Sequence, residues 1–107
     1  MEWQVEALND TVRGELDALP FEIRARLIRL EHLISQVGLE TLREPYVKHL
    51  EGKLWEMRVT GRDGIARAIY VTAIGRRVVI VRAFIKKTQQ TPRSEIDLAL
   101  RRAKEIQ

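Results

Sequence analysis

The chain has 107 residues, 45% apolar and 32% charged, proportions that argue against disorder and predict one folded domain over residues 1–107. It contains no cysteine, which excludes disulfides and thiolate metal sites and makes a reducing cytoplasm the expected location. The net charge of +4 is uneven, since residues 1–57 hold seven Lys/Arg against eleven Asp/Glu and residues 58–107 hold twelve against four. A basic C-terminal half calls for an anionic partner, nucleic acid first.

In chain order, Trp3 to Leu8 alternates Trp3, Val5 and Ala7 with polar neighbours and reads as an edge strand. Asn9, Asp10 and Thr11 offer N-caps for a short helix over Val12 to Ala18. Pro20 then suits the first turn of a second helix. Ile23, Leu27, Leu30, Ile34 and Val37 fall at spacings of four, three, four and three, an apolar stripe that Phe21 and Leu33 widen. Gly38 is its expected stop. Leu39 to Lys53, with Pro45 and Gly52, reads as a connector.

Three runs of β-type residues follow, parted by Gly61-Arg62-Asp63-Gly64 and Gly75-Arg76-Arg77, the pattern of an antiparallel meander. In the first, Leu54 to Val59, Trp55, Met57 and Val59 share one face, Glu56 and Arg58 the other. In the second, Ile65 to Ala73, Arg67 lies between Ile65 and Ile69 and needs a partner or a ligand, because a buried unpaired charge is costly. In the third, Val79, Val81, Ala83 and Ile85 form an apolar face opposite Val78, Ile80, Arg82, Phe84 and Lys86, a face that turns basic. After Pro92, Ser94 is the expected cap of a last helix with Ile96, Leu100 and Ala103 along one side. No apolar stretch reaches the ~18 residues of a membrane span, so no membrane association is expected. The two histidines, His32 and His49, lack metal-ligand spacing, so no metal site and no cofactor are expected.

These residues resemble the RelE/ParE superfamily of type II toxins, closest to its phage-derived, HigB-like branch. The resemblance rests on Leu54-Trp55-Glu56-Met57-Arg58, on Arg67 with Tyr70 downstream, and on the run Phe84-Ile85-Lys86-Lys87-Thr88-Gln89-Gln90-Thr91-Pro92 before the closing helix. It covers nearly the whole chain; Arg82-Ala83 stand where that branch often carries a His-Gly pair. It implies an α/β (α+β) RelE-like fold: an N-terminal helical hairpin packed on a small, antiparallel-rich four-stranded sheet, with a C-terminal helix. It also implies metal-free cleavage of mRNA on the translating ribosome and neutralisation by a cognate antitoxin, often a helix-turn-helix protein.

Such cleavage needs removal of the 2′-OH proton, stabilisation of an anionic phosphorus and protonation of the leaving oxygen. Arg67 is the expected phosphate clamp, because its planar fork can hold two phosphate oxygens. Arg58 assists it, Lys86 completes the catalytic group, and either Lys86 or Lys87 is a candidate acid. Lys87, Arg82, Lys48 and His49 are expected on RNA, with Phe84 stacking a base. Glu56 orients Arg58 or acts as base, and His49 is a candidate proton carrier. Two other readings stand beside this one: a ParE-like inhibitor of DNA gyrase, and a non-catalytic nucleic-acid-binding module.

Overall fold

The computed structural model describes residues 3–42, 46–62, 64–86 and 90–106. Its elements in chain order are β1 (Gln4–Ala7), α1 (Asp10–Asp17), α2 (Phe21–Val37), a short 3-10 turn (Leu39–Thr41), β2 (Val47–Glu51), β3 (Leu54–Gly61), β4 (Gly64–Ala73), β5 (Arg77–Lys86) and α3 (Arg93–Ala103). The strands form one five-stranded sheet in the order β1-β5-β4-β3-β2. β2 to β5 are an antiparallel meander, and β1 joins the β5 edge in parallel. The expected α+β architecture holds, with one strand more than the sequence predicts. The extra strand is β2, inside the supposed connector. It pairs Lys48 with Glu56 and His49 with Trp55, and its exposed Lys48 and His49 carry none of the β-branched signal of a buried strand.

The helix boundaries follow local chemistry. Asn9 caps α1 by accepting the Val12 N–H at 3.0 Å. Pro20 occupies the cap position of α2, and Gly38 (φ +93°) ends it with its N–H on the Ile34 carbonyl. The last helix starts at Arg93, one residue before the expected cap. Pro92 takes the cap position without a side-chain bond, so Ser94 falls in the first turn.

The sheet is buried on both faces. α1 and α2 cover one side, where Val12, Leu16, Ile23, Leu27 and Ile34 pack on Met57, Val59, Tyr70, Val78 and Ile80. Gly61 lets α2 approach closely, since a Cβ there would lie 2.6 Å from Ile23 Cγ1. The α2 stripe is narrower than its spacing predicts: Phe21, Leu33 and Val37 are exposed. α3 covers part of the other side, where Ala99, Ile96, Leu100 and Ala103 meet Leu54, Ile69, Val71, Val79 and Val81.

The strict alternation expected in β5 breaks at a bulge. Tyr70 pairs with Ile80 but Ile69 pairs with Arg82, which leaves Val81 as an extra residue. Val79, Val81, Arg82, Phe84 and Lys86 therefore share the α3 side, while Ala83 joins Val78 and Ile80 on the other. The bulge carries Arg82, Phe84 and Lys86 onto the face that bears Arg58 and Arg67.

Candidate active site

The β3–β4 hairpin sets the centre of the site. Its register places Arg58 opposite Arg67 and Glu56 opposite Ile69, while β5 places Phe84 opposite Arg67 and Lys86 opposite Ile65. Period-two alternation then puts Glu56, Arg58, Arg67, Phe84 and Lys86 on one face. Glu56 is fully buried and Arg67 only 2% exposed. One carboxylate serves both arginines: Glu56 Oε1 accepts from Arg58 Nε at 3.0 Å and from Arg67 Nη1 at 3.0 Å. Thr91 closes the cluster, donating to Glu56 Oε2 at 2.6 Å and accepting from Arg67 Nη1 at 2.8 Å.

Among the described residues, the cluster brings two guanidinium groups to one carboxylate in a partly dry setting. Charge-assisted bonds of this kind fix side-chain geometry as well as lowering energy. Arg58, with a side chain 24% exposed, brings the cluster to the surface. Glu56 sits beneath three donors with no solvent contact, so its part is to hold the cations. Thr91 had no assigned role in the sequence, although it ends the run that carries the family resemblance.

Arg82 lies on the same face in different company. It makes a two-pronged contact with Glu95 of α3 at 2.7 and 3.1 Å and an ion pair with Glu15 of α1 at 3.0 Å. Arg102 joins from α3, 2.8 Å from Glu15. The bulge underlies this second cluster: Glu15 accepts the Ala83 N–H at 3.2 Å, and Arg102 donates to the Val81 carbonyl at 2.9 Å. The Glu95 carboxylate in particular, with Glu15, raises the affinity of Arg82 for its proton. The Arg82 guanidinium also lies 5.5 Å from the centroid of the Phe84 ring, which is half-buried on the α3 side.

The other expected residues divide. Lys86 is half-buried and Lys48 exposed, with Lys48 opposite Glu56 on β2. His49 pairs with Trp55 and alternates away from Glu56. Its ring lies 4.9 Å from the Trp55 ring, and its Nε2 is 2.8 Å from the Gly52 carbonyl oxygen. The arginine cluster and His49 therefore occupy opposite faces. Lys87 lies outside the described residues. Tyr70, buried in the α2-side core, has its phenol pushed up to about 12 by burial. Among the described residues no group of three or more His, Cys, Asp or Glu could hold a metal ion, and no helix is long and apolar enough to cross a membrane.

Residues 14–104 match the family model described as "Phage derived protein Gp49-like". Among solved structures, a chain of the archaeal RelE–RelB complex from Pyrococcus horikoshii OT3 is similar, with a TM-score of 0.58 and 24% sequence identity. That alignment covers 79% of this chain and 96% of the other. Among curated proteins, none matches the chain significantly.

Proposed function

From the premise that the chain belongs to the phage-derived Gp49-like family and has the RelE fold, we propose that it is the toxin of a toxin–antitoxin pair and cleaves mRNA on the ribosome. The observation that carries this reading is the Glu56–Arg58–Arg67–Thr91 cluster, which fixes two guanidinium groups on one sheet face and ends at the surface in Arg58. A cation held in place before the substrate arrives stabilises an anionic transition state without reorganising. Arg58 presents its terminal nitrogens to the scissile phosphate, and Lys86 meets the same phosphate from β5. Arg67 supports them from below, raising the local positive potential and fixing Arg58 through their shared carboxylate. Lys48, on the neighbouring edge strand, extends the cationic track for flanking phosphates. The neutralising partner is an antitoxin, encoded beside the toxin.

The test is induced expression without antitoxin, with primer extension on an abundant mRNA. Translation-dependent cuts inside the coding region are expected, and Arg58→Ala is expected to lower them at least tenfold by removing a charge-assisted phosphate contact of about 1.5–3 kcal/mol. Arg67→Ala is expected to abolish the cuts, and Arg67→Lys, which keeps the charge but loses the planar fork, is the companion variant should Arg67→Ala fail to fold. Growth arrest with intact mRNA and an early fall in DNA synthesis would replace this reading with inhibition of gyrase.

A further inference from the structure

β2, β3 and β4 set a row of rings across the α2 side of the sheet. Register pairs His49 with Trp55 and Trp55 with Tyr70, so alternation brings all three rings to one face, opposite the face of Glu56, Arg58 and Arg67. α2 ends at Val37 and the 3-10 turn follows it. Between that turn and the rings lies a recess of about 480 Å³, within the size range of small-molecule sites. Trp55 keeps 40% of its surface exposed, its ring tilted by 56° against the His49 ring. Tyr70 is only 2% exposed, yet its phenol lines the recess without a hydrogen-bond partner among the described residues. Burial alone pushes that phenol up to about 12, so its O–H remains a donor at neutral pH. A polar group buried this deeply ordinarily has an acceptor.

We propose that this recess binds a single nucleotide, its base against the Trp55 indole and its edge accepting the Tyr70 O–H. The site is separate from the arginine cluster, and its chemistry does not depend on the ribonuclease reading. Every base offers a flat π-face to an exposed indole and carries acceptors along its edge. Leu39 and Leu42 add apolar wall that gains from covering the ring. An apolar side chain of a protein would fill the same space but leave the buried phenol unpaired, a lasting cost. Glu40 and Thr72 also border the recess; the first accepts from a base N–H, and the second accepts or donates. Lys48 borders it as well and is the cation for the phosphate. On the outermost strand, Lys48 also stands opposite Glu56, so it belongs to the edge between the two faces. The nucleotide therefore has two possible sources: a free mononucleotide, or an unpaired residue of an RNA strand that crosses this edge.

The experiment is calorimetric titration of the full-length chain with guanosine and adenosine 5′-monophosphates and with a single-stranded RNA hexamer. Trp55→Ala removes the stacking ring from an exposed position and is expected to weaken binding about tenfold. Tyr70→Phe removes the O–H and keeps the packing. It is expected to weaken binding about fivefold while melting with the parent, since the phenol has no partner to lose. Thr72→Ala, at an exposed position, is the further variant should Trp55→Ala fail to fold. Arg58→Ala, on the opposite face, leaves mononucleotide affinity at the parental level. Mononucleotide binding with these sensitivities assigns a site for free nucleotide. Binding of the hexamer alone, weakened by Trp55→Ala and Tyr70→Phe, assigns a site for an unpaired RNA residue. No binding of any probe at about 1 mM, or binding that neither ring substitution weakens, would overturn the proposal. Binding that only Arg58→Ala weakens would place the nucleotide on the arginine face and overturn it equally. So would N-acetylphenylalaninamide binding more tightly than every nucleotide, which would make the recess a pocket for a protein side chain.

Discussion

Arg67 and Arg82 sit on adjacent strands and the same side of the sheet, yet they meet carboxylates in opposite proportions. Around Arg82 the charges balance: Glu15 and Glu95 face Arg82 and Arg102, and the spare donor and acceptor capacity goes to the Ala83 N–H and the Val81 carbonyl. This cluster ties α1, β5 and α3 together and satisfies the backbone that the bulge leaves unpaired. Around Arg67, among the described residues, one carboxylate serves two guanidiniums, and the cluster reaches the surface through Arg58. The first arrangement spends its charge on the fold, and the second leaves charge for a ligand. Counting cations on the face does not separate the two; counting the carboxylates that meet them does.

The largest effect that tests this contrast comes from the carboxylate that two arginines share. Glu56→Ala leaves Arg67 buried without its counter-charge, a change that costs about 3–5 kcal/mol where no other carboxylate can move in. Urea unfolding is expected to show a midpoint lowered accordingly, with cleavage lost at the same time. Unchanged stability would mean that Arg67 finds equal compensation elsewhere and that Glu56 is not the group that holds the cluster.

The balanced cluster is expected to respond differently. Arg82→Ala breaks a two-pronged pair with Glu95 and leaves Glu15 its pair with Arg102, at a cost of about 1–2 kcal/mol for groups partly screened by solvent. Stability, read by the same unfolding curve, falls, while cleavage per folded molecule is unaltered. A drop in cleavage without a drop in stability would return Arg82 to the RNA-binding track that its sequence position implies.

The Glu56–Arg58–Arg67 part of the cluster is legible in the sequence because it lies across one hairpin, whereas Thr91, 24 positions beyond Arg67, is not. The turn between Gly61 and Gly64 sets β3 against β4, so Glu56, Arg58 and Arg67 follow from alternation alone. The Arg82 cluster is not legible for two physical reasons. Val78 to Val81 is apolar at every position, so a bulge inside the run leaves no break in periodicity to read. Its partners also come from elements on both sides of the sheet, Glu15 lying 67 positions before Arg82, and no local pattern announces such a contact. β2 escapes for the opposite reason: as an edge strand it carries polar residues where a central strand would carry Val or Ile. The α2 stripe reads as uniform core, but burial along it depends on what lies opposite. Leu33 and Val37 are 43% and 50% exposed, whereas Ile34 between them is fully buried.

The smallest effect concerns a carboxylate that pairs with no guanidinium among the described residues, and it calibrates the other two. Glu31 lines a recess between α2 and β1 with Trp3, His32, Ser35 and Glu6. Burial raises its pKa above the ordinary 4.5, and the charges of Arg13 and His32 only partly oppose this. Glu6, in the same recess, is held below its ordinary value by its bonds to Arg77. For Glu31 the folded state binds the proton more tightly than the unfolded chain, so its contribution to stability falls as pH rises through the folded pKa. Glu31→Gln removes that decline while preserving size. The variant and its parent are expected to melt together near pH 4, and the variant is expected to gain a few tenths of a kcal/mol, roughly 1–2 °C, at pH 7 to 8. A gain that persisted at pH 4 would assign the effect to packing. A loss at pH 7 would mean that Glu31 gains from Arg13 what Glu56 gains from Arg67, and the presence of a bonded guanidinium would no longer distinguish a carboxylate that stabilises this fold from one that burdens it.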